Sequence, residues 1–428
     1  MQKPNTRFVS FSFLLITVLY AITMSLPAFA AQDPSVSARQ FGHGQPATVH
    51  DLPPGQLKRR LENLPPQASA KALRWLQDID FPGTDLELLR VDDEGGVFYA
   101  DTLLPGGDAD GSRAVQEAAP VSTLDDAFLL HSRPGAPNTV YIDFNGHAFS
   151  GTAWNSGGNT YFARPYDLDG NPGNFNDTER GRIVDIWHRV AEDLAPFDID
   201  VTTEEPNSFD RYTGRILVTE DVDENNVDMP HKGAGGVAYV GVFGNSNYHT
   251  YYSPALVYFD NLGGGNETYT AEASSHEFGH NLGLSHDGTN GGTTYYAGHG
   301  SGLVSWAPIM GNSYYNNITQ WSLGEYTNAN NMQDDIAIIT GRLGVIADDH
   351  GNNTSSGTPL IIDGSGAVIS SNPELDPHNE LPDNKGVINS VADVDVFTFV
   401  SGAGTIDLTI TPAWDAFYRS TTRRGANL

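Results

Sequence analysis

Cysteine is absent from this 428-residue chain. That excludes disulfide staples and thiolate chemistry, and it rules out a cysteine as the cap of any metal site. Basic residues are scarce as well, with 23 Lys and Arg against 53 Asp and Glu and a formal net charge of −30. Such a surface repels nucleic-acid phosphates and anionic membranes, so neither is expected as a partner. The acidity fits solubility, salt tolerance or calcium binding. After the first thirty residues no apolar run reaches the roughly 20 residues that a membrane span needs. Without disulfides, stability must come from the core and from bound ions. A composition that is 39% hydrophobic, with 20 Phe, 18 Tyr and 6 Trp, is sufficient for two or three domains.

The N-terminus reads as a secretory signal over residues 1–30. Lys3 and Arg7 precede a mostly apolar run from Phe8 to Ala21, and Ala28-Phe29-Ala30 is a small-x-small cleavage site. An uncleaved anchor is the alternative, disfavoured by the shortness of the run. The expectation is an exported protein with no membrane contact once the signal is removed.

The most informative stretch runs from His276 to Asp287 and reads H-E-x-x-H-x-x-G-x-x-H-D. His276 and His280 are four apart, so a helix projects both from one face. Two imidazoles so placed can grip one zinc ion, and Glu277 can reach a water on it. Gly283 can end the helix in a left-handed conformation, letting the chain return His286 as a third ligand. Three protein ligands leave a fourth position for water, the arrangement of a catalytic zinc. Downstream, Trp306-Ala307-Pro308-Ile309-Met310-Gly311 combines turn residues with one of only five methionines.

These motifs resemble those of the metzincin zinc metalloproteases, and Asp287 after the third histidine resembles the adamalysin (reprolysin) branch of the bacterial secreted type. The resemblance implies zinc held by His276, His280 and His286, with Glu277 as general base and Met310 as an apolar floor beneath the imidazoles. It implies an α+β catalytic domain with a mixed twisted sheet of about five strands and an active-site helix. Astacin-like and serralysin-like members carry a tyrosine ligand two residues after the methionine; here that position is Asn312. Tyr314 and Tyr315 have the wrong offset, so no tyrosine ligand is assigned. Asp287 is expected to be structural.

Four regions follow. After the signal, residues 31–136 hold a helical pattern through Leu57, Leu61, Leu64, Leu73 and Leu76. A turn at Asp92–Gly96 then separates two short strands, Leu86–Arg90 and Val97–Tyr99. This region reads as a propeptide covering the zinc cleft, its cap a carboxylate or a histidine; a retained accessory domain is the alternative. Residues 137–346 read as the catalytic domain. Strands are expected at Thr139–Phe144, Asp198–Thr203, Arg215–Thr219, Gly236–Phe243 and Ala255–Phe259. Asn176 and Glu179 read as a capping box ahead of a helix faced by Ile183, Trp187, Val190 and Leu194, and a final helix is expected over Asn331–Leu343. By the family resemblance, substrate lies extended along Gly236–Phe243. Asp167-Leu168-Asp169-Gly170-Asn171 spaces oxygen ligands alternately and is a candidate calcium site or an acidic turn. His299, a lone loop histidine, is left out of the metal set. Residues 347–428 alternate apolar and polar residues over Val394–Val400 and Ile406–Ile410, a hairpin pattern. They resemble a pre-peptidase C-terminal β-sandwich cut short.

The expected activity is that of a secreted zymogen, a zinc endopeptidase acting on protein or peptide substrates as a monomer. The rivals are a surface adhesin on a protease fold and a zinc hydrolase of a non-peptide amide. The intact Glu277 argues against the adhesin.

Overall fold

The computed structural model describes residues 36, 38–102, 125–368, 384–390 and 392–407. The signal-peptide reading of residues 1–30 lies outside them. The N-terminal part holds β1 (Gln40–Phe41), α1 (Gln56–Asn63), α2 (Pro66–Asp78), β2 (Phe81–Pro82), β3 (Leu89–Val91) and β4 (Val97–Asp101). Then come β5 (Asn138–Asp143), β6 (His147–Ser150), β7 (Thr160–Ala163), α3 (Asp177–Asp193), β8 (Ile199–Thr202), β9 (Thr213–Thr219), β10 (Gly236–Tyr239), β11 (Ala255–Tyr258), α4 (Glu267–Leu282), β12 (Trp306–Pro308), β13 (Ile318–Gln320) and α5 (Asp335–Leu343). The expected helical run of residues 57–76 is two helices, broken where Pro65-Pro66 removes backbone donors.

The organising element is a mixed seven-stranded sheet in the order β3-β4-β10-β11-β9-β5-β8. The five strands expected from residues 137–346 are all in it, with β8, β5, β9 and β11 parallel and β10 antiparallel to β11. The sheet is wider than expected because the hairpin β3–β4 from the N-terminal region adds to β10. All five β4 residues are buried. Phe98 and Ala100 enter the main core, while Val97 and Tyr99 enter a smaller N-terminal core with Leu57, Leu61 and Leu76. Alternation of side chains across the sheet thus welds the two cores through one strand. β10 stops at Tyr239, short of the expected Phe243, as the chain turns through Gly241 at φ 67°.

Helices α3 and α4 pack against each other and against the sheet. α3 starts as its sequence indicates: Asn176 accepts from the backbone of Thr178 and Glu179, and Glu179 returns a bond to Asn176 N–H at 2.7 Å. At the opposite sheet margin, Leu130 and Ser132 bond to Thr203 and Val201, covering the outer edge of β8. Downstream of α5, Phe397–Thr398 (β15) pairs in parallel with Thr358–Pro359 (β14). The expected C-terminal hairpin does not form over the described residues, where Val394, Val400 and Ile406 are exposed. A sandwich core has no support there; its remaining expected strand residues, 408–410, lie outside the description.

The cover on β8 is held partly by His131, whose Nδ1 is 2.7 Å from Asp200 and Nε2 2.9 Å from Glu204. Burial opposes its charge, but the two carboxylates outweigh it and the imidazole pKa is raised. A raised folded-state pKa stabilises fully below the unfolded value of about 6.5 and is lost as pH rises through the folded value. His131→Gln should therefore lower the urea midpoint more at pH 6 than at pH 9; equal losses at both would remove the electrostatic account.

Candidate active site

The site is built on α4, which is buried along nearly its whole length. Asn266 caps its start by accepting from Tyr269 N–H. Gly283 ends it at φ 115°, donating to Gly279 and His280 carbonyls, and Leu284 N–H also bonds back to Gly279. Because the chain reverses there, His286 returns to the His276–His280 face as expected. The ring centroids of the three histidines lie 4.8–5.2 Å apart.

Local bonds fix which nitrogen faces inward. His276 Nδ1 donates to the Ile309 carbonyl at 2.9 Å, and His280 Nδ1 to the Leu284 carbonyl at 2.8 Å. Donation at Nδ1 leaves Nε2 as the free lone pair, the ligand form of imidazole. His286 has Nδ1 3.3 Å from Asp85, whose carboxylate also accepts the Tyr99 hydroxyl at 2.6 Å. The methionine turn lies beneath. Asp287 N–H donates to the Met310 carbonyl at 2.8 Å, so this aspartate's backbone ties the third histidine to the turn. Burial, then Glu325, pushes the Asp287 carboxyl up to about 8. Met310 is fully buried, and a Cβ on Gly279 would come within 2.7 Å of its sulfur. Glycine at this helical position lets the turn approach, although it costs about 1 kcal/mol of helix propensity.

Asp101, at the end of β4, was not singled out by the sequence. Its carboxylate lies 3.3 Å from His276 Nε2, 3.1 Å from His280 Nε2 and 2.9 Å from His286 Nε2. The position left for a fourth ligand is thus met by a side chain. Tyr295, likewise unmarked in the sequence, donates its hydroxyl to Asp101 at 2.8 Å. His299 does not join the cluster, its Nδ1 lying 3.1 Å from the Tyr296 hydroxyl, whereas Tyr314 lines the cavity beside Asp101, His276 and Glu277.

The donor set fits a zinc ion. Ligand atoms of the four residues lie within 4.8 Å of one another. A tetrahedral ion with bonds of 2.0–2.1 Å needs ligand atoms about 3.3 Å apart. His276 Nε2 and His286 Nε2 are buried without a hydrogen-bond partner despite facing the carboxylate. Burial works against its charge, yet the imidazoles, His286 first, hold Asp101 well below the usual carboxylate range. Burial lowers His286, but Asp101 and Asp85 push it up to about 10, while burial brings His280 down to about 4.

Glu277 is buried beside this cluster with Oε2 unpaired. Burial, then the Asp101 charge, raises its pKa well above the ordinary value. Gly236, the first residue of β10, makes room for it, since a Cβ there would meet Glu277 Oε1 at 2.3 Å. A small cavity bounded by Gly236, Glu272, His276, Glu277 and Tyr314 adjoins the carboxylate.

The candidate calcium loop closes on itself. Asp167 Oδ1 accepts backbone N–H groups of residues 169, 170 and 171, and Asp169 bonds Asn171 and Asn176. Its oxygens bind the turn to the start of α3, and carboxylate oxygens of Asp167, Asp169 and Glu179 lie within 4.8 Å of one another, which leaves both the acidic turn and the calcium site standing.

Residues 200–287 match the family model described as Metallo-peptidase family M12B Reprolysin-like. The chain carries a reprolysin-like metallopeptidase domain. The matched span runs from β8 through the third histidine, and it leaves out the N-terminal region, the methionine turn and the C-terminal segment. No curated protein and no solved structure matches the chain.

In this metallopeptidase domain the β10 glycine is a steric requirement of the acid beside the metal cluster. Gly236→Ala should displace the Glu277 carboxylate by roughly 1 Å and lower turnover by about 100-fold with the circular dichroism unchanged. Turnover at the wild-type level would show that the carboxylate tolerates the displacement.

Proposed function

We propose that the chain is a zinc-dependent endopeptidase exported as a precursor, with the signal at 1–30, a propeptide at 31–136 and the catalytic domain at 137–346. The convergence of three imidazole Nε2 atoms beside a buried glutamate on the same helix carries this reading. His276, His280 and His286 would hold the metal. Bound there, zinc supplies a Lewis acid that brings a water's pKa toward neutrality and polarises a carbonyl.

The chain's own residues account for the rest. Ile309 and Leu284 carbonyls fix the tautomers of His276 and His280. Glu277 takes the proton from the attacking water and passes it to the leaving amine, work suited to a carboxylate whose proton affinity burial has raised. Asp287 and Met310 keep the third histidine and the floor in place. Once β4 is withdrawn, the β10 backbone would offer an edge on which an extended peptide substrate could pair as an added strand, which favours protein and peptide over a non-peptide amide. Export follows from the signal pattern, and the acidic surface fits a monomer that binds neither nucleic acid nor membrane. No helix among the described residues is long and apolar enough to cross a membrane.

Zinc analysis of the active form should give about one ion per chain, and a strong chelator should abolish hydrolysis of casein. Glu277→Ala should retain zinc and fold yet lose between about 100- and 10,000-fold in turnover. Activity indifferent to the chelator would reject the metal; near wild-type turnover in the variant would reject the base.

A further inference from the structure

We propose that Glu272 is a specificity-determining residue: it lines a side-chain pocket beside the metal cluster, and that pocket takes a lysine at one of the two substrate residues joined by the scissile bond. This deepens the zinc-endopeptidase reading and rests on it.

The pocket is built on one stretch of α4. Residues four apart share a helix face, so Glu272 lies a turn before His276 and Ala273 a turn before Glu277. All four line the small cavity beside the cluster. Gly236 of β10, with Gly311 and Ser313 from the segment after Met310, adds little bulk to its wall. Because the cavity shares His276 and Glu277 with the reacting centre, its occupant is a residue at the scissile bond and not a distant one.

One polar group in that wall is left without a donor. Glu272 is only 2% exposed. Its Oε1 accepts the Thr319 hydroxyl at 3.3 Å, while Oε2 is buried with no hydrogen-bond partner. An unpaired carboxylate oxygen cut off from water is costly, and a donor carried in by a ligand relieves that cost. Packing of α3 against α4 explains why Arg189 stands near this carboxylate, but it leaves Oε2 unexplained.

The surrounding charge selects a cation as that donor. Burial raises the pKa of the Glu272 carboxyl and of Asp193 on α3, Glu272 adds to the rise at Asp193, and Arg189, a turn earlier on α3, opposes it at each. One guanidinium thus serves two carboxylates, and a second positive charge would offset the other. Lysine suits the place better than arginine. A guanidinium engages a carboxylate best through both oxygens, and here Oε1 is already taken by Thr319. An ammonium is a compact charge on a slim stem and can use the one oxygen that remains.

The full chain is expressed, and the active form that it yields is tested as wild type and as Glu272→Gln. Mass spectrometry of a digested peptide mixture should show lysine enriched at one fixed position of the two flanking the cleaved bond. A quenched fluorescent peptide with lysine there should exceed its norleucine counterpart, which keeps the stem and drops the charge, by about tenfold or more in kcat/KM. Arginine at that position should fall between the two. Glu272→Gln, which keeps an acceptor for Thr319, should lose most of the lysine-to-norleucine ratio through the lysine peptide; a merely structural role would depress both peptides together and leave the ratio. A wild-type ratio near one, or an unchanged ratio in the variant, would overturn the pocket, and the wild-type ratio decides by itself should the variant fail to fold. If zinc-loaded protein hydrolyses no peptide at all, the endopeptidase reading falls. Fluorescence anisotropy of the same two peptides then decides Glu272 alone, tighter binding of the lysine peptide supporting the site and equal binding overturning it.

Discussion

Burying several ionisable groups in one small volume is the constraint on which the rest of the structure depends. Three imidazoles, Asp101, Glu277 and Asp85 meet where water is excluded. Such groups are tolerated in a low-dielectric interior only if charges offset one another and each polar atom finds a partner. A divalent cation held by His276, His280 and His286 would do both at the centre of the cluster. At its margin, Ile309 and Leu284 carbonyls take the outward imidazole protons, while Tyr99 and Tyr295 hydroxyls take carboxylate lone pairs.

Meeting that constraint dictates the surrounding backbone. α4 must be approached closely on two sides, and glycine stands at both points of approach, Gly236 on β10 for the Glu277 carboxylate and Gly279 on the helix for Met310. Gly283 then reverses the chain at a positive φ that most residues avoid. Behind the helix, Ser275 Oγ donates to Asp193 at 2.5 Å and Trp321 Nε1 to the Asp193 carbonyl at 2.7 Å, fixing α4 against α3 and the segment after the turn. The site is rigid because its supports are drawn from the sheet, two helices and a turn at once.

The same geometry links chemistry to control. An edge strand with unsatisfied backbone groups is what a peptidase offers to an extended substrate, and it is equally open to a strand of its own chain. β4 takes that side of β10 with alternate residues buried in two different cores, so completing the sheet and joining the N-terminal region to it are one event. A region that read as a separate propeptide is, in structural terms, two strands of a seven-stranded sheet.

The sequence by itself determined what is local. Helical spacing placed His276 and His280 on one face, Gly283 marked the reversal to His286, and the Asn176–Glu179 box marked the start of α3, because each is a relation among residues a turn or two apart. It also indicated five sheet strands by pattern, while the methionine turn was implied by the family resemblance. Only the tertiary structure decided the partners of these groups. Asp101 lies 179 positions before His280, and a carboxylate ending an apolar strand carries no spacing that would pair it with a distant helix. Tyr295, Asp85 and Gly236 are likewise ordinary residues until the sheet is assembled. At the C-terminus, alternation over Val394–Val400 is matched by a strand at Phe397–Thr398 paired with Thr358–Pro359, while Val394 and Val400 are exposed, with no second layer over them among the described residues. Periodicity reports which face of an element is apolar; what that face meets is a property of the folded chain.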